Sequence, residues 1–269
     1  MYPDILVVTA TLGDRETLNQ TVTSVKAIGK NRVKHILIAP KDKCETIKEM
    51  FPNVDVLEEP INCGGIYSAL NYAIENFGRT YAYITFINDD DYWLESYQQL
   101  FDFLDHHPNV DAVYSRTCFV DNNGIVLGEQ ACSPRYQAFN PLLFTSIVLF
   151  TQQSALIRSS VYFSVGGFDT SFKLAADTLF WSTAIALGAK FKYINIVSAA
   201  YTIQKNQLSS DKKTQSCEHQ RILNAIKRPS HLRIIFEKIL FLIWNTRIYC
   251  KRVISRKQIK NLGGSKISL

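Results

Sequence analysis

The sequence predicts an α/β fold, a Rossmann-like, open and mostly parallel sheet flanked by helices, with a C-terminal helical appendage. Three observations predict it. Apolar runs at residues 5–8, 35–39 and 81–87 lack polar alternation, as strands covered on both faces require. Helical stretches separate them into four β-α repeats, and repeats of this length close as right-handed parallel units. At 269 residues the chain can bury one substantial core with a small addition.

The first strand covers residues 5–8, and Asp14 is placed to cap a helix over 15–28 that Gly29 ends. Residues 35–39 are the second strand, 44–50 a short helix and 54–57 the third strand. Gly64-Gly65 opens a helix over 66–77, closed by Gly78. Residues 81–87 are the fourth strand and 95–106 the next helix. Ligands in such sheets gather beyond the carboxyl ends of the strands, here residues 9–15, 39–43, 60–65 and 88–91. After Val110 the pattern changes. Residues 113–120 and 125–130 flank a hairpin turn, Asp121-Asn122-Asn123-Gly124. Residues 139–150 read as helix, 154–158 as strand, Gly166-Gly167 as a turn, and 177–187 as a helix ended by Gly188. The polar stretch 204–216 is expected to be mobile, and 217–227 and 231–254 to be helical.

The composition, 46% apolar and 20% charged, is that of a globular protein. Its net charge of +6 is uneven: residues 228–269 hold ten Lys/Arg and one acid, Glu237, so they carry +9 and the rest −3. A mildly acidic body disfavours nucleic-acid binding. Six cysteines without a Cys-x-x-Cys pair fit a reducing cytoplasm better than a disulfide framework. The N-terminus enters a strand with no basic region or cleavage site, so no signal peptide is expected. The longest apolar run, residues 239–244, is too short to span a bilayer.

Asn88-Asp89-Asp90-Asp91 directly follows the apolar fourth strand. Adjacent carboxylates repel and are costly to desolvate, and they persist most naturally where a cation neutralises them. Alternate carboxylates, Asp89 and Asp91, would hold a divalent cation that also binds a diphosphate. Asp91 would otherwise cap the turn before Trp93, at about 1 kcal/mol, or the loop is simply solvated. Asp177 lies among apolar neighbours at a predicted helix N-terminus, where it suits a general base for a hydroxyl and equally an N-cap. Gly64-Gly65 leads into a helix whose first N–H groups face a possible anion. Asn71, on its first turns, either bonds a ligand or faces solvent.

Taken together, Thr9-Ala10-Thr11-Leu12-Gly13-Asp14-Arg15, Gly65-Ile66-Tyr67-Ser68-Ala69-Leu70-Asn71, Phe86-Ile87-Asn88-Asp89-Asp90-Asp91 and Gly166-Gly167-Phe168-Asp169 with Ala175-Ala176-Asp177 resemble family 2 glycosyltransferases. More narrowly, they are similar to the bacterial members that build O-antigen or capsule repeat units. The likeness covers about residues 5–210. It implies the GT-A fold, a nucleotide-sugar donor, usually UDP-linked, and a Mn²⁺ or Mg²⁺ ion. Asp177 matches the catalytic base, Asp89–Asp91 match the metal and nucleotide motif, and Thr9, Thr11 and Arg15 match the first nucleotide-contacting loop. Nucleotide contacts are thus expected from Thr9, Thr11, Arg15, Asp42, Asn71, Asp89 and Asp90, and metal contacts from Asp89 and Asp91.

There are departures. The Asp that usually contacts uracil after the second strand is missing from Ile38-Ala39-Pro40-Lys41-Asp42, or moved to Asp42. Where relatives often carry His before Gln, this chain has Gln152-Gln153, and Ser68 stands where Asp is common beside Tyr67. The Gln-x-x-Arg-Trp motif of processive synthases does not occur, which favours one sugar per event. On this reading residues 1–215 are the transferase domain, with a nucleotide-binding half (1–110) and an acceptor half (111–215). Residues 216–269 form a basic helical segment.

Residues 231–254 put Leu232, Ile235, Phe236, Ile239, Leu242 and Ile243 on one face, flanked by basic residues. Such a helix suits the headgroup region of an anionic leaflet, or else packs on the body or a partner subunit. The expectation is an inverting, metal-dependent hexosyl transfer to a polyprenyl-diphosphate-linked sugar, by a cytoplasmic protein peripheral on the inner face of the cell membrane. Lys205, Lys212 and Lys213 would close over the diphosphate. Two rivals differ in class. A nucleotidyltransferase should have a Gly-rich loop with Arg and Lys after strand one, where residues 9–15 hold a single Gly. A non-catalytic membrane-surface module has little need of both Asp89–Asp91 and Asp177.

Overall fold

The computed structural model describes residues 4–204 and 211–252. Strands β1 (Ile5–Ala10), β2 (Val33–Ala39), β3 (Asp55–Glu58) and β4 (Tyr83–Phe86) alternate with helices α1 (Leu18–Gly29), α2 (Lys41–Met50) and α3 (Ile66–Phe77). All four strands pair in parallel, in the order β3-β2-β1-β4. Three of the four predicted β-α repeats are therefore present as read, and the fourth helix (Gln98–His106) follows β4 only after a two-residue strand (Tyr92–Trp93). Because the apolar run of β1 is continuous, its two faces are both covered. Leu6 and Val8 pack with Leu70, Ala73 and Ile74 of α3, and Ile5 and Val7 with Val25 of α1 on the other side. Burying each such side chain contributes roughly 1.5–3 kcal/mol.

The second half continues the same sheet: β5 (Tyr92–Trp93), α4 (Gln98–His106), β6 (Ala112–Val120), β7 (Val126–Glu129), α5 (Phe139–Leu143), β8 (Ala155–Arg158), α6 (Ser159–Val165), α7 (Ala176–Ala186), β9 (Phe191–Thr202), α8 (Lys212–Ala225) and α9 (His231–Trp244). Strand β8 runs antiparallel between β4 and β6; β9 lies parallel to β6, and β5 completes that edge. The predicted hairpin joins β6 and β7, its turn closed by the Asp121 carboxylate accepting from the Asn123 and Ile125 N–H groups.

Among the boundaries that differ from the sequence expectation, four bear on the cleft or the C-terminal helices. Asp14 does not cap α1, which begins at Leu18 with Thr17 at its N-cap position, so Arg15 stays outside the helix. The helix expected over 139–150 stops at Leu143. Ser146 adopts a left-handed φ of 57°, and the Ile147 N–H closes back on the Leu142 carbonyl. Residues 211–216 belong to an ordered helix start, with Asp211 accepting from the Lys213 and Thr214 N–H groups. Residues 205–210, including Lys205, lie outside the described residues. The helix expected over 231–254 breaks at Asn245, whose side chain bonds both the N–H and the carbonyl of Cys132. Residues 246–252 are helical again. Ile222 of α8 and Phe241 of α9 join the main core, so the C-terminal helices are packed on the body. No helix among the described residues is long and apolar enough to cross a membrane.

Candidate active site

The carboxyl ends of β1 and β4, the turn before β8, and the loop before α7 surround a cleft of about 690 Å³. Thr11, Arg15, Asn88, Asp89 and Asp90 line one side of it, and Gln152, Gln153, Lys173, Leu174 and Asp177 also face it. A parallel sheet that reverses direction at β4–β8 leaves this crevice at its switch point.

The acidic turn is built inward from α1. Thr17 Oγ1 donates to the Asp89 carbonyl at 3.1 Å, and Thr21 Oγ1 to the Asp91 carbonyl at 2.7 Å. Arg15 bridges the first two carboxylates, with Nε 3.2 Å from Asp89 Oδ1 and Nη1 2.6 Å from Asp90 Oδ2. Thr11 Oγ1 donates to Asp89 Oδ2 at 2.8 Å. Burial pushes the Asp89 carboxyl up to about 6, although the Thr11 hydrogen bond and the Arg15 charge oppose it. The Arg15 guanidinium thus holds two carboxylates side by side at the cleft edge.

Asp91 departs from its expected role. It is fully buried, off the cleft wall, and its oxygens accept from Asn88 Nδ2 (3.0 Å), from Gln153 Nε2 and from the Thr202 N–H (3.0 Å). It fastens the end of β9 to the acidic turn, and burial, with the Asp90 charge, pushes its carboxyl well above the usual range. It is not a cap either, since Tyr92 and Trp93 continue into β5.

The metal expectation therefore falls on Asp89 and Asp90. Among the described residues no three His, Cys, Asp or Glu side chains gather around one point. Hard carboxylate oxygens suit Mg²⁺ or Mn²⁺, and Mg²⁺ is commonly held by one or two carboxylates with substrate phosphates completing the shell. Two carboxylates on the cleft wall, Asp89 and Asp90, have the donor chemistry that fits such an ion.

Asp177 sits in the first turn of α7, after Ala175 at the N-cap position, and its side chain does not cap the helix. Its Oδ1 accepts from the Thr178 N–H at 2.7 Å and lies 3.3 Å from Tyr67 Oη, whose one proton is shared with the Leu174 carbonyl at 3.0 Å. No hydrogen bond occupies Oδ2 among the described residues. Burial pushes the carboxyl up to about 6 against these donors. Burial and the Asp177 charge in turn raise the Tyr67 phenol well above its usual value, so it remains a donor. A carboxylate with one oxygen tied and a raised proton affinity is equipped to take a proton.

Three other nominated residues lie elsewhere. Thr9 is fully buried with Oγ1 3.0 Å from His35 Nε2, one step inside the strand from the cleft. Asp42 is exposed in the first turn of α2, off the cleft wall. Asn71 clamps the Gly166-Gly167 turn: Nδ2 donates to the Phe168 carbonyl (2.7 Å), and Oδ1 accepts from Phe168 N–H (2.9 Å) and Tyr162 Oη (2.6 Å). At Gly167, with φ of 84°, a Cβ would come within 2.9 Å of that hydroxyl, so only glycine lets the clamp close.

Sequence reasoning missed Glu218. This buried α8 carboxylate accepts from the N–H groups of Lys173 (2.6 Å), Leu174 (2.9 Å) and Ala175 (3.0 Å), and so holds the loop that delivers Asp177. Nothing near Glu218 in sequence marks it, because its partners lie more than forty residues earlier.

A curled, mainly parallel sheet flanked by helices, with an acidic turn and the Asp177 carboxylate opening on one cleft, is a glycosyltransferase fold of the GT-A type. The sequence profile described as glycosyl transferase family 2 matches residues 6–165, more than half of the chain. The chain belongs to that family and is a glycosyltransferase. It is similar in structure to residues 1–349 of S. aureus TarS in complex with UDP-GlcNAc, with a TM-score of 0.64 at 15% identity over 91% of this chain and 72% of that one. It is also similar to the mannosyltransferase PcManGT from Pyrobaculum calidifontis in complex with GDP-Man and Mn²⁺, with a TM-score of 0.59 at 14% identity over 99% and 77% of the two chains. At such identities the likeness is one of fold. No curated protein matches the sequence.

Proposed function

We propose that this protein transfers one hexose, with inversion, from a nucleotide sugar to a lipid-diphosphate-linked sugar during assembly of a surface polysaccharide such as O-antigen or capsule. The observation that carries the reading is that the Arg15–Asp89–Asp90 cluster and Asp177 open on the same cleft. Structural neighbours crystallised with UDP-GlcNAc and with GDP-Man support a nucleotide-sugar donor. The bacterial repeat-unit likeness favours UDP as its carrier.

In this mechanism Thr11 and Arg15 orient the donor beside Asp89 and Asp90. Those carboxylates would hold Mn²⁺ or Mg²⁺, which when bound neutralises charge on a diphosphate. Asp177 Oδ2 removes the proton of an acceptor hydroxyl while its oxygen bonds to the anomeric carbon. The bond from that carbon to the diphosphate oxygen breaks on the opposite face, and the diphosphate leaves with the electron pair. Tyr67 and the Thr178 N–H hold Oδ1 so that Oδ2 stays aimed. The outward apolar strip of α9, with exposed Arg233, Lys238 and Arg247, supports a place on the inner face of an anionic membrane, where a polyprenyl-linked acceptor resides.

The test is a panel of UDP- and GDP-hexoses with Mn²⁺ and a synthetic diphospho-lipid monosaccharide, read by mass spectrometry. The wild type should add a single hexose, and Asp177→Asn should bind donor yet lose about 10²–10⁴-fold in turnover. Full activity in that variant removes Asp177 as the base.

A further inference from the structure

We infer that Gln152, with the side-chain carbonyl of Gln153, reads a ring hydroxyl of the sugar in the cleft and so selects which sugar is accepted. This rests on the transferase reading above. Gln152 lies on the cleft wall at 5% exposure, and neither Oε1 nor Nε2 has a hydrogen-bond partner among the described residues. Gln153, 2% exposed, donates through Nε2 to Asp91 and leaves Oε1 without a partner. Buried amide atoms are almost always bonded, and this unbonded set, on two residues that line the cleft, is completed by a ligand once the amides turn toward it.

The two residues sit on a firmly held turn. Ser154 Oγ donates to the Ser115 carbonyl at 3.0 Å, Thr151 Oγ1 lies 2.7 Å from Thr117 Oγ1, and the Thr151 N–H donates to Gln130 Oε1 at 3.2 Å. The amides are therefore placed by rigid neighbours. Their chemistry selects the ligand. A carboxamide presents an acceptor beside a donor, which matches a hydroxyl or an adjacent pair of hydroxyls that both give and take hydrogen bonds. A phosphate has no proton to offer Oε1, and the cleft offers it the cationic Arg15 and Lys173 instead. The hydroxyls of a hexose ring fit this pair, and the nucleoside diphosphate, which carries the ribose and base but no hexose, is the control that separates them. A site built to bond a hydroxyl rejects the analogue lacking it, because its own polar groups stay unpaired.

The experiment compares full-length wild type with Gln152→Leu and Gln152→Glu. It measures the Tm without ligand, Kd values for the nucleoside diphosphate, the nucleotide hexose and its deoxy-hexose analogue, and the KM for the diphospho-lipid monosaccharide. Gln152→Leu should keep or raise the Tm, because it removes unpaired buried atoms, and should bind the nucleoside diphosphate within about twofold of wild type. If the donor hexose is read, nucleotide-hexose binding weakens about tenfold and discrimination against the deoxy analogue collapses. If the acceptor sugar is read, acceptor KM rises about tenfold while donor Kd holds. Either result supports the inference and assigns the sugar. Unchanged donor Kd and acceptor KM in a folded Gln152→Leu overturns it while the transferase reading stands. A lowered Tm with equal loss of nucleotide and sugar binding marks a structural role and also overturns it. A wild type that binds and turns over no nucleotide sugar overturns both.

Discussion

Asp177 owes its proton affinity to its surroundings. Burial lifts its carboxyl to about 6, and the Thr178 N–H and Tyr67 hydroxyl only partly offset that. A general base must be ionised, so kcat/KM should climb as pH rises through about 6 and level off above it; a flat profile from pH 5 to 8 would count against the assignment. The stability consequence has the opposite sense. A folded-state pKa above the unfolded value stabilises fully below the unfolded pKa, and that contribution is lost as pH rises through about 6. Asp177→Asn should therefore raise the unfolding free energy by about 1–3 kcal/mol at pH 7.5 and by little at pH 4, as measured by urea denaturation. Asp91 behaves differently although it stands two residues from Asp89. Asp91→Ala strands the Thr202 N–H and the Gln153 amide, and should lower stability by roughly 2–4 kcal/mol whether or not metal is present. Sequence adjacency could not separate the two residues, because side-chain direction in a turn is fixed by what encloses it.

At the level of elements, loops aim the chemistry and helices far away in sequence hold the loops. Glu218 on α8 collects three backbone N–H groups of residues 173–175, directly before α7 and Asp177. Glu218→Ala should loosen that loop and cost about 10²-fold in kcat while donor Kd holds. Hydrogen exchange at residues 173–175 should rise in the same variant, and unaltered protection there would contradict the account. Asn71 plays a similar part through α3, clamping the Gly167 turn. Its place in a recognisable motif was legible; the clamp was not, since its partners lie about a hundred residues downstream.

Across the whole molecule, the C-terminal helices are tied to the body by one face and present another outward. In α9, Ile234, Glu237 and Phe241 point inward, and Arg135 pairs with Glu237 at 2.8 Å. Leu232, Ile235, Phe236, Ile239, Leu242, Ile243 and Trp244 are all exposed. Combined Phe236→Ser, Ile239→Ser and Ile243→Ser changes should lower the Tm only modestly and leave the protein folded, because each of those residues is more than half exposed. The same changes should abolish co-flotation with vesicles containing anionic lipid. Retained flotation would move any membrane contact elsewhere.

The sequence by itself determined the parallel half-sheet, the hairpin, the acidic turn after β4 and the candidate base, since each is written in local periodicity or a short motif. It also marked the outward stripe of α9, because a helix displays its pattern at fixed spacing. Only the tertiary structure decided that Asp90, and not Asp91, shares the cleft with Asp89, that Thr9, Asp42 and Asn71 stand off it, that Gln152 lines it, and that Glu218 holds the loop before Asp177. Those outcomes depend on contacts between residues distant in the chain, where packing sets side-chain direction and burial and local sequence carries no trace of either.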